Sequence, residues 1–135
     1  EAVSESLEQT VRRFAAKKLE LANVVVRKVG FVLLSRIVER SPVDTGRFRA
    51  NNQLALNSLP MDALMEVDAN GAATISREGA KLAAFKLGDT IFICNNVKYA
   101  LKLEYGHSKQ APAGVFRIAV QDIIASFASV AQGAV

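Results

Sequence analysis

The residues best suited to chemistry crowd the stretch Glu104-Tyr105-Gly106-His107-Ser108. A histidine titrates near neutrality and can act as a general base, a carboxylate three positions earlier could orient it, and the adjacent hydroxyl could serve as nucleophile. Against a catalytic arrangement, His107 follows a glycine in what reads as a loop, and no second element points to it. An exposed loop histidine is the expectation. Asp62, Glu66 and Asp68 form the other acidic set. Even spacing would place all three on one strand face opposite Leu64, where a solvated face is expected rather than a metal site.

Cys94 is the only cysteine and His107 the only histidine. That excludes an internal disulfide and a Cys/His metal cluster within one chain. The sequence has no phosphate-cradling glycine loop ending in Lys-Ser or Lys-Thr, no Gly-x-Ser-x-Gly elbow and no His-Glu-x-x-His. An enzyme is therefore not expected, and no cofactor is implied.

The net charge of +4 is uneven, because residues 1–50 hold ten Lys or Arg against six Asp or Glu while the rest balances seven against seven. Such an excess permits weak, salt-sensitive contact with DNA or an acidic partner, and it is also common on solvated surfaces. Arg27, Lys28 and Arg36 interrupt the most apolar stretch, so no membrane span is expected. Nothing at the beginning of the given sequence has a signal peptide's apolar centre, and synthesis and assembly in the cytoplasm are the expectation.

These groups must be positioned by one domain, since 135 residues that are 50% apolar suffice for a single core and would leave two halves marginal. From Ser6 to Arg40 there is no proline, and Leu7, Val11, Phe14, Leu21, Val25, Val29 and Val32 recur at helical spacing. This predicts a long helix, capped by Ser4 or Ser6 with Glu5 and Glu8 near its positive end, and stopped at Ser41-Pro42. Its first half keeps a polar face with Arg12, Arg13, Lys17 and Glu20. In its second half Val24, Phe31, Leu34 and Val38 fall on that same side, making the helix apolar nearly all round. Such a helix must be covered twice, and a neighbouring subunit is expected to supply the second cover.

Beyond the turn, a strand is expected over residues 48–56 with Leu54 and Leu56 on one face. Residues 64–67 and 72–75 flank Asn70-Gly71 as a predicted hairpin. A short helix is expected over 77–87, and Thr90–Cys94 reads as a strand central in the sheet, with Cys94 packed in the core. A helical stretch follows over 97–105, then an exposed, adaptable loop over 108–114. The last helix, 115–130, should bury Phe116, Val120, Ile123 and Phe127. The fold class implied is α+β: long N-terminal and C-terminal helices packed on a small, mostly antiparallel sheet.

Asp44-Thr45-Gly46-Arg47 joins a turn signal to charge. Asp44 can close an Asx-type turn and Gly46 supplies a backbone conformation other residues resist. One reading is simply a well-made turn. The other has Arg47 and Arg49, alternating with Phe48 on a strand, facing a carboxylate of another subunit or DNA.

Three segments together resemble one family. Ser41-Pro42-Val43-Asp44-Thr45-Gly46-Arg47-Phe48-Arg49 resembles the signature after the first helix of the head-tail joining and tail-completion (neck) proteins of long-tailed bacteriophages. Cys94-Asn95-Asn96-Val97-Lys98-Tyr99-Ala100 with Leu103-Glu104-Tyr105-Gly106 resembles the second signature, and residues 111–117, a Pro-containing loop entering the last helix, the third. Residues 59–88 depart most from the family pattern. The resemblance implies a structural virion protein of the neck or upper tail that forms a ring around the DNA channel and joins tail to head. Its implied partners are further copies of itself, six-fold or alternatively twelve-fold, portal-side connector proteins, tail terminator or tube proteins, and DNA passing without sequence-specific contact. Each subunit of such a ring needs two different complementary faces. Expected interface residues are Val24, Phe31, Leu34, Val38, Asp44, Arg47, Arg49, Glu104, Lys109 and Gln110. Arg12, Arg13, Lys17 and Arg47 are the expected contacts to the channel DNA or to an acidic adjoining ring. The alternative reading is a small basic DNA-binding protein.

Overall fold

Helix α1 (Leu7–Arg40) is the spine of the protein, whose computed structural model describes residues 6–133. Ser6 caps it. The Ser6 hydroxyl accepts the Gln9 amide at 3.1 Å and the Gln9 side chain accepts the Ser6 amide at 2.9 Å, a reciprocal capping box. Ser4 and Glu5, the other residues expected at this end, lie outside the described residues. Ser41 leaves the helix in an extended conformation ahead of Pro42, as the proline predicts.

At this end Arg49 closes the helix. Its guanidinium donates to the Ser41 carbonyl at 2.8 Å, to Glu39 at 3.1 Å and to Ala69 at 2.8 Å. A cation on the last carbonyls complements the negative pole of the helix.

The strand expected over 48–56 is half right. Gly46 takes φ +88° and Arg47–Ala50 forms one helical turn, α2, because the amides of Ala50 and Asn51 bond back to Gly46 and Arg47. That turn buries Phe48 and Ala50 and separates Arg47 and Arg49, so the two arginines do not share a strand face. Strand β1 is Asn52–Leu56 and pairs antiparallel with β2, Ile91–Asn95, in the register Leu54↔Ile93. Leu54 and Leu56 do pack on one side. The sheet has these two strands among the described residues, so β2 is not central, and Cys94 is half-buried with its thiol 3.7 Å from the Pro60 carbonyl.

The Asn70-Gly71 hairpin is not formed. Residues 64–67 are irregular, and helix α3 (Ala72–Gly79) follows Gly71 directly, running into a 3-10 turn, Ala80–Ala84. Asp68 decides this: its carboxylate accepts the amides of Gly71 (3.0 Å) and Thr74 (2.8 Å) and the Thr74 hydroxyl (2.7 Å), fixing a helix start where a strand was expected. Asp68 is thus drawn away from Asp62 and Glu66, which remain exposed off any strand.

Helices α4 (Ala100–Glu104) and α5 (Phe116–Gln132) complete the chain. The core lies on both sides of α1. On one side Ile37 packs with Phe48, Val97, Ala111, Val115 and Ala119; on the other Leu34 and Val38 pack with Leu54 and Leu82. Asp122 of α5 meets Arg36 and Arg40, holding the two long helices together. The fold is α+β, with the terminal helices packed together and a two-stranded antiparallel sheet.

Candidate functional site

Side-chain hydrogen bonds bring the three sequence signatures together. Asn95 donates to the Phe48 carbonyl (2.8 Å) and to Asn52 (3.2 Å), and Asn52 donates to the Ser41 hydroxyl (2.8 Å), whose own proton goes to Ile37. Asn52 and Ser41 are fully covered, so each bond replaces one that water can no longer make. Gln110, immediately ahead of the third segment, ties that loop to the first segment, accepting the Val43 amide at 2.8 Å and donating to the Val43 carbonyl at 3.0 Å.

Glu104 joins the second segment to the third. Its carboxylate accepts the amides of Val115 (2.9 Å), Phe116 (2.7 Å) and Arg117 (3.0 Å), with the Arg117 Nε at 3.0 Å. It therefore caps α5 from outside that helix. Burial by itself would raise its pKa, but the bonds from Phe116, Val115 and Arg117 outweigh that and hold the carboxyl below its ordinary value. Gly114 makes the close approach feasible at φ +89°, where a Cβ would collide with the Glu104 carbonyl.

The first two segments and the loop ahead of the third enclose an open cleft of about 590 Å³. Residues 42–48 form one wall, Tyr99 and Leu103 the other, and His107, Ser108 and Gln110 the rim. Phe48 and Tyr99 line it as a tilted ring pair 6.2 Å apart. The His107, Glu104 and Ser108 grouping is not assembled. Glu104 is committed to α5, Ser108 Oγ accepts the Gln110 amide, and the His107 side chain is exposed, with no hydrogen bond or ion pair among the described residues. Nor do the described residues hold any group of three His, Cys, Asp or Glu able to bind a metal.

The expected interface residues divide. Asp44, Arg47 and Lys109 are exposed, with Asp44 and Arg47 on the cleft wall. The turn at Asp44 is closed by the Thr45 hydroxyl, which accepts the Arg47 amide at 3.2 Å, rather than by the aspartate. Phe31 is partly exposed and Val24 half-buried. Leu34 and Val38 must be withdrawn as interface residues, because both are 0% exposed beneath β1 and Leu82 of their own chain. The two covers expected of the domain and a neighbour are here both supplied by the domain. Arg49 and Glu104 serve as helix caps, and Gln110 is bound to Val43. The loop 108–114 is accordingly anchored rather than free: Ala111 and Gly114 are buried, and Lys109, Pro112 and Ala113 project.

The larger uncovered surface is elsewhere. Every residue from Ser6 to Glu20 is exposed, so the first four turns of α1 stand clear of the body. Leu7, Val11 and Phe14 are 80%, 56% and 62% exposed along one side of this arm. Arg12 pairs with Glu8 at 2.7 Å, Lys18 lies 5.2 Å over the Phe14 ring, and Arg13 and Lys17 flank Phe14. The stripe expected inside α5 is also partly uncovered. Ala119 and Ile123 are its buried line, whereas Val120, Ile124 and Phe127 are 41%, 71% and 50% exposed. Neither surface was singled out from sequence, although helix length carries a signal for the first. No helix among the described residues is long and apolar enough to cross a membrane.

The chain matches no protein-family model, no curated protein and no solved structure.

Proposed function

We propose that this protein is a structural component of a bacteriophage neck or upper tail, assembled in the host cytoplasm and forming a ring that joins tail to head around the DNA channel. The observation that carries the reading is the convergence of the three signature segments. Residues far apart in sequence, Val43 with Gln110 and Glu104 with Val115 to Arg117, act as one hydrogen-bonded unit. The polar residues of these segments are spent on holding the turn, α4 and α5 together, which suits a part whose work is to keep a shape. Asp44 and Arg47 of the first segment, and Lys109 just ahead of the third, are among the residues left facing solvent, where a portal-side connector or tail terminator or tube protein could meet them.

Electron microscopy of the purified chain, with particle mass measured in solution, tests the proposal. A closed ring with a central channel is expected, six-fold, with twelve-fold the alternative. A chain that stays monomeric at high concentration, alone and with connector and tail proteins, refutes it.

A second reading, a small DNA-binding protein, is favoured by one observation: Arg12, Arg13, Lys17 and Lys18 lie on the exposed arm. Binding through phosphates would weaken steeply with salt. A flat salt response, or none of this binding, removes that reading.

A further inference from the structure

We infer that the exposed arm of α1 docks on the uncovered side of α5 in a second copy of this chain, the two helices running parallel. This rests on the ring reading and names the contact that would build the ring. The arm presents Leu7, Val11 and Phe14, and α5 presents Val120, Ile124 and Phe127. Both are i, i+4, i+7 stripes, each about 10 Å long at 1.5 Å per residue, so their ridges match in pitch and length. They occupy different parts of the molecule, which is what a head-to-tail assembly requires of its two faces. On the arm, the stripe continues into the half-buried Leu21 and Val25, so it extends a side of α1 that the body already partly covers.

Charge selects the partner and the direction. From Ile118 to Gly133 α5 has no lysine or arginine, and its last turn leaves the negative pole of the helix without a cation. The arm carries Lys17 and Lys18 just past Phe14. A parallel alignment puts Leu7 beside Val120, Val11 beside Ile124 and Phe14 beside Phe127, and carries both lysines to the terminal carbonyls of α5. The antiparallel alignment would bring them to Arg117 instead. The six side chains expose several hundred Å² of apolar surface, on the order of the non-polar part of the smaller stable interfaces.

The test uses the full chain with Val11→Asp on the arm and, separately, Ile124→Asp on α5, both at exposed positions, with circular dichroism to verify folding. Phe14→Ser and Phe127→Ser are the reserve pair should either aspartate variant misfold. Sedimentation velocity should show each variant associating about 30-fold or more weakly than wild type, since a charge is set against an apolar stripe. Mixing the two variants leaves one intact arm and one intact α5, so two-chain particles should appear and nothing larger. Parallel docking further requires that, with Cys94→Ser throughout, Leu7→Cys cross-links to Val120→Cys and not to Phe127→Cys. Rings that survive both substitutions overturn this contact and leave the ring reading standing. A mixture that stays single-chain overturns head-to-tail docking, cross-linking to Phe127→Cys overturns the direction, and a monomeric wild type removes contact and ring reading together.

Discussion

Replacing Glu104 probes the joint on which the signature segments turn. Its carboxylate accepts three amides of the first turn of α5, and 19% of the side chain is exposed. Loss of a capping acceptor costs about 1 kcal/mol, and loss of negative charge at the positive pole of a helix about 0.5–1 kcal/mol more. The Arg117 ion pair adds little, because the arginine is 56% exposed and water screens the pair. Glu104→Ala should therefore cost about 2 kcal/mol, and Glu104→Gln, which keeps one acceptor oxygen, about 1 kcal/mol. For a domain of this length each kcal/mol lowers Tm by roughly 3–4 °C, so falls of about 7 °C and 3–4 °C are expected at pH 7. The pH dependence is the sharper check. A carboxyl whose folded pKa is lowered contributes stability above its unfolded pKa, and that contribution is lost as pH falls through the folded value. The gap between wild type and Glu104→Gln should be full above about pH 5 and close as pH drops below about 4. Thermal melts followed by circular dichroism over that range measure it. A Gln variant that melts with wild type at pH 7, or a gap unchanged on acidification, refutes the capping role.

Glu78 is 1% exposed and accepts the Leu54 amide (2.8 Å), Arg77 Nε (2.7 Å) and Lys81 Nζ (2.7 Å). Glu78→Ala strands a buried amide, while both cations can still reach water, so a loss of about 2–3 kcal/mol is expected in urea unfolding. Burial raises the Glu78 pKa and the bonds from Lys81, Arg77 and Leu54 more than offset it, so its contribution too should disappear on acidification. Gly114→Ala should cost about 2 kcal/mol or more, combining left-handed strain with a clash against Glu104, whereas Gly88→Ala, with φ +102° and nothing within 4 Å, should cost only the strain of about 1 kcal/mol. A similar loss for both, read from urea midpoints, would show that contact with Glu104 is not what makes Gly114 special. In hydrogen exchange, amides of residues 10–20 should be little protected in the single chain and those of 30–38 strongly protected, since only the latter lie in the core.

The helices were legible because each has both a period and a stop. Ser6, the long run without proline and Ser41-Pro42 fix α1 almost to the residue, and α5 begins and ends within two residues of expectation. Between Phe48 and Leu87 local signals misled. Asn-Gly favours a hairpin only when strands flank it, and here Asp68, a few residues upstream, captures the Thr74 amide and starts a helix instead. At Phe48 the alternation of apolar and charged residues resembled a strand, yet Gly46 and the buried Phe48 and Ala50 favour one helical turn. Polar roles were the least legible. Arg49, Glu104 and Gln110 are charged or polar in a surface-like stretch, and their backbone partners lie 8, 11 to 13 and 67 residues away. No local pattern announces a cap supplied from another element.

Which part of α1 its own chain leaves uncovered follows from lengths alone. A helix of 34 residues rises about 51 Å. A compact domain of 135 residues has a radius of gyration of about 14 Å, or about 37 Å across, so α1 cannot be covered from end to end by its own chain. The part left out is set by where the cover attaches. α5 meets α1 through Asp122 at Arg36 and Arg40, and β1 meets it at Leu34 and Val38, so the body gathers at the C-terminal end and the N-terminal turns project. The apolar residues Leu34, Ile37 and Val38 therefore mark the doubly covered core, whereas Phe31, one turn earlier, stays 39% exposed. The amphipathic first half carries a single apolar stripe that stays uncovered among the described residues. A helix of about 14 residues without tertiary packing is marginal in water, which makes the arm, with Leu7, Val11 and Phe14 exposed, dependent on its continuity with the body.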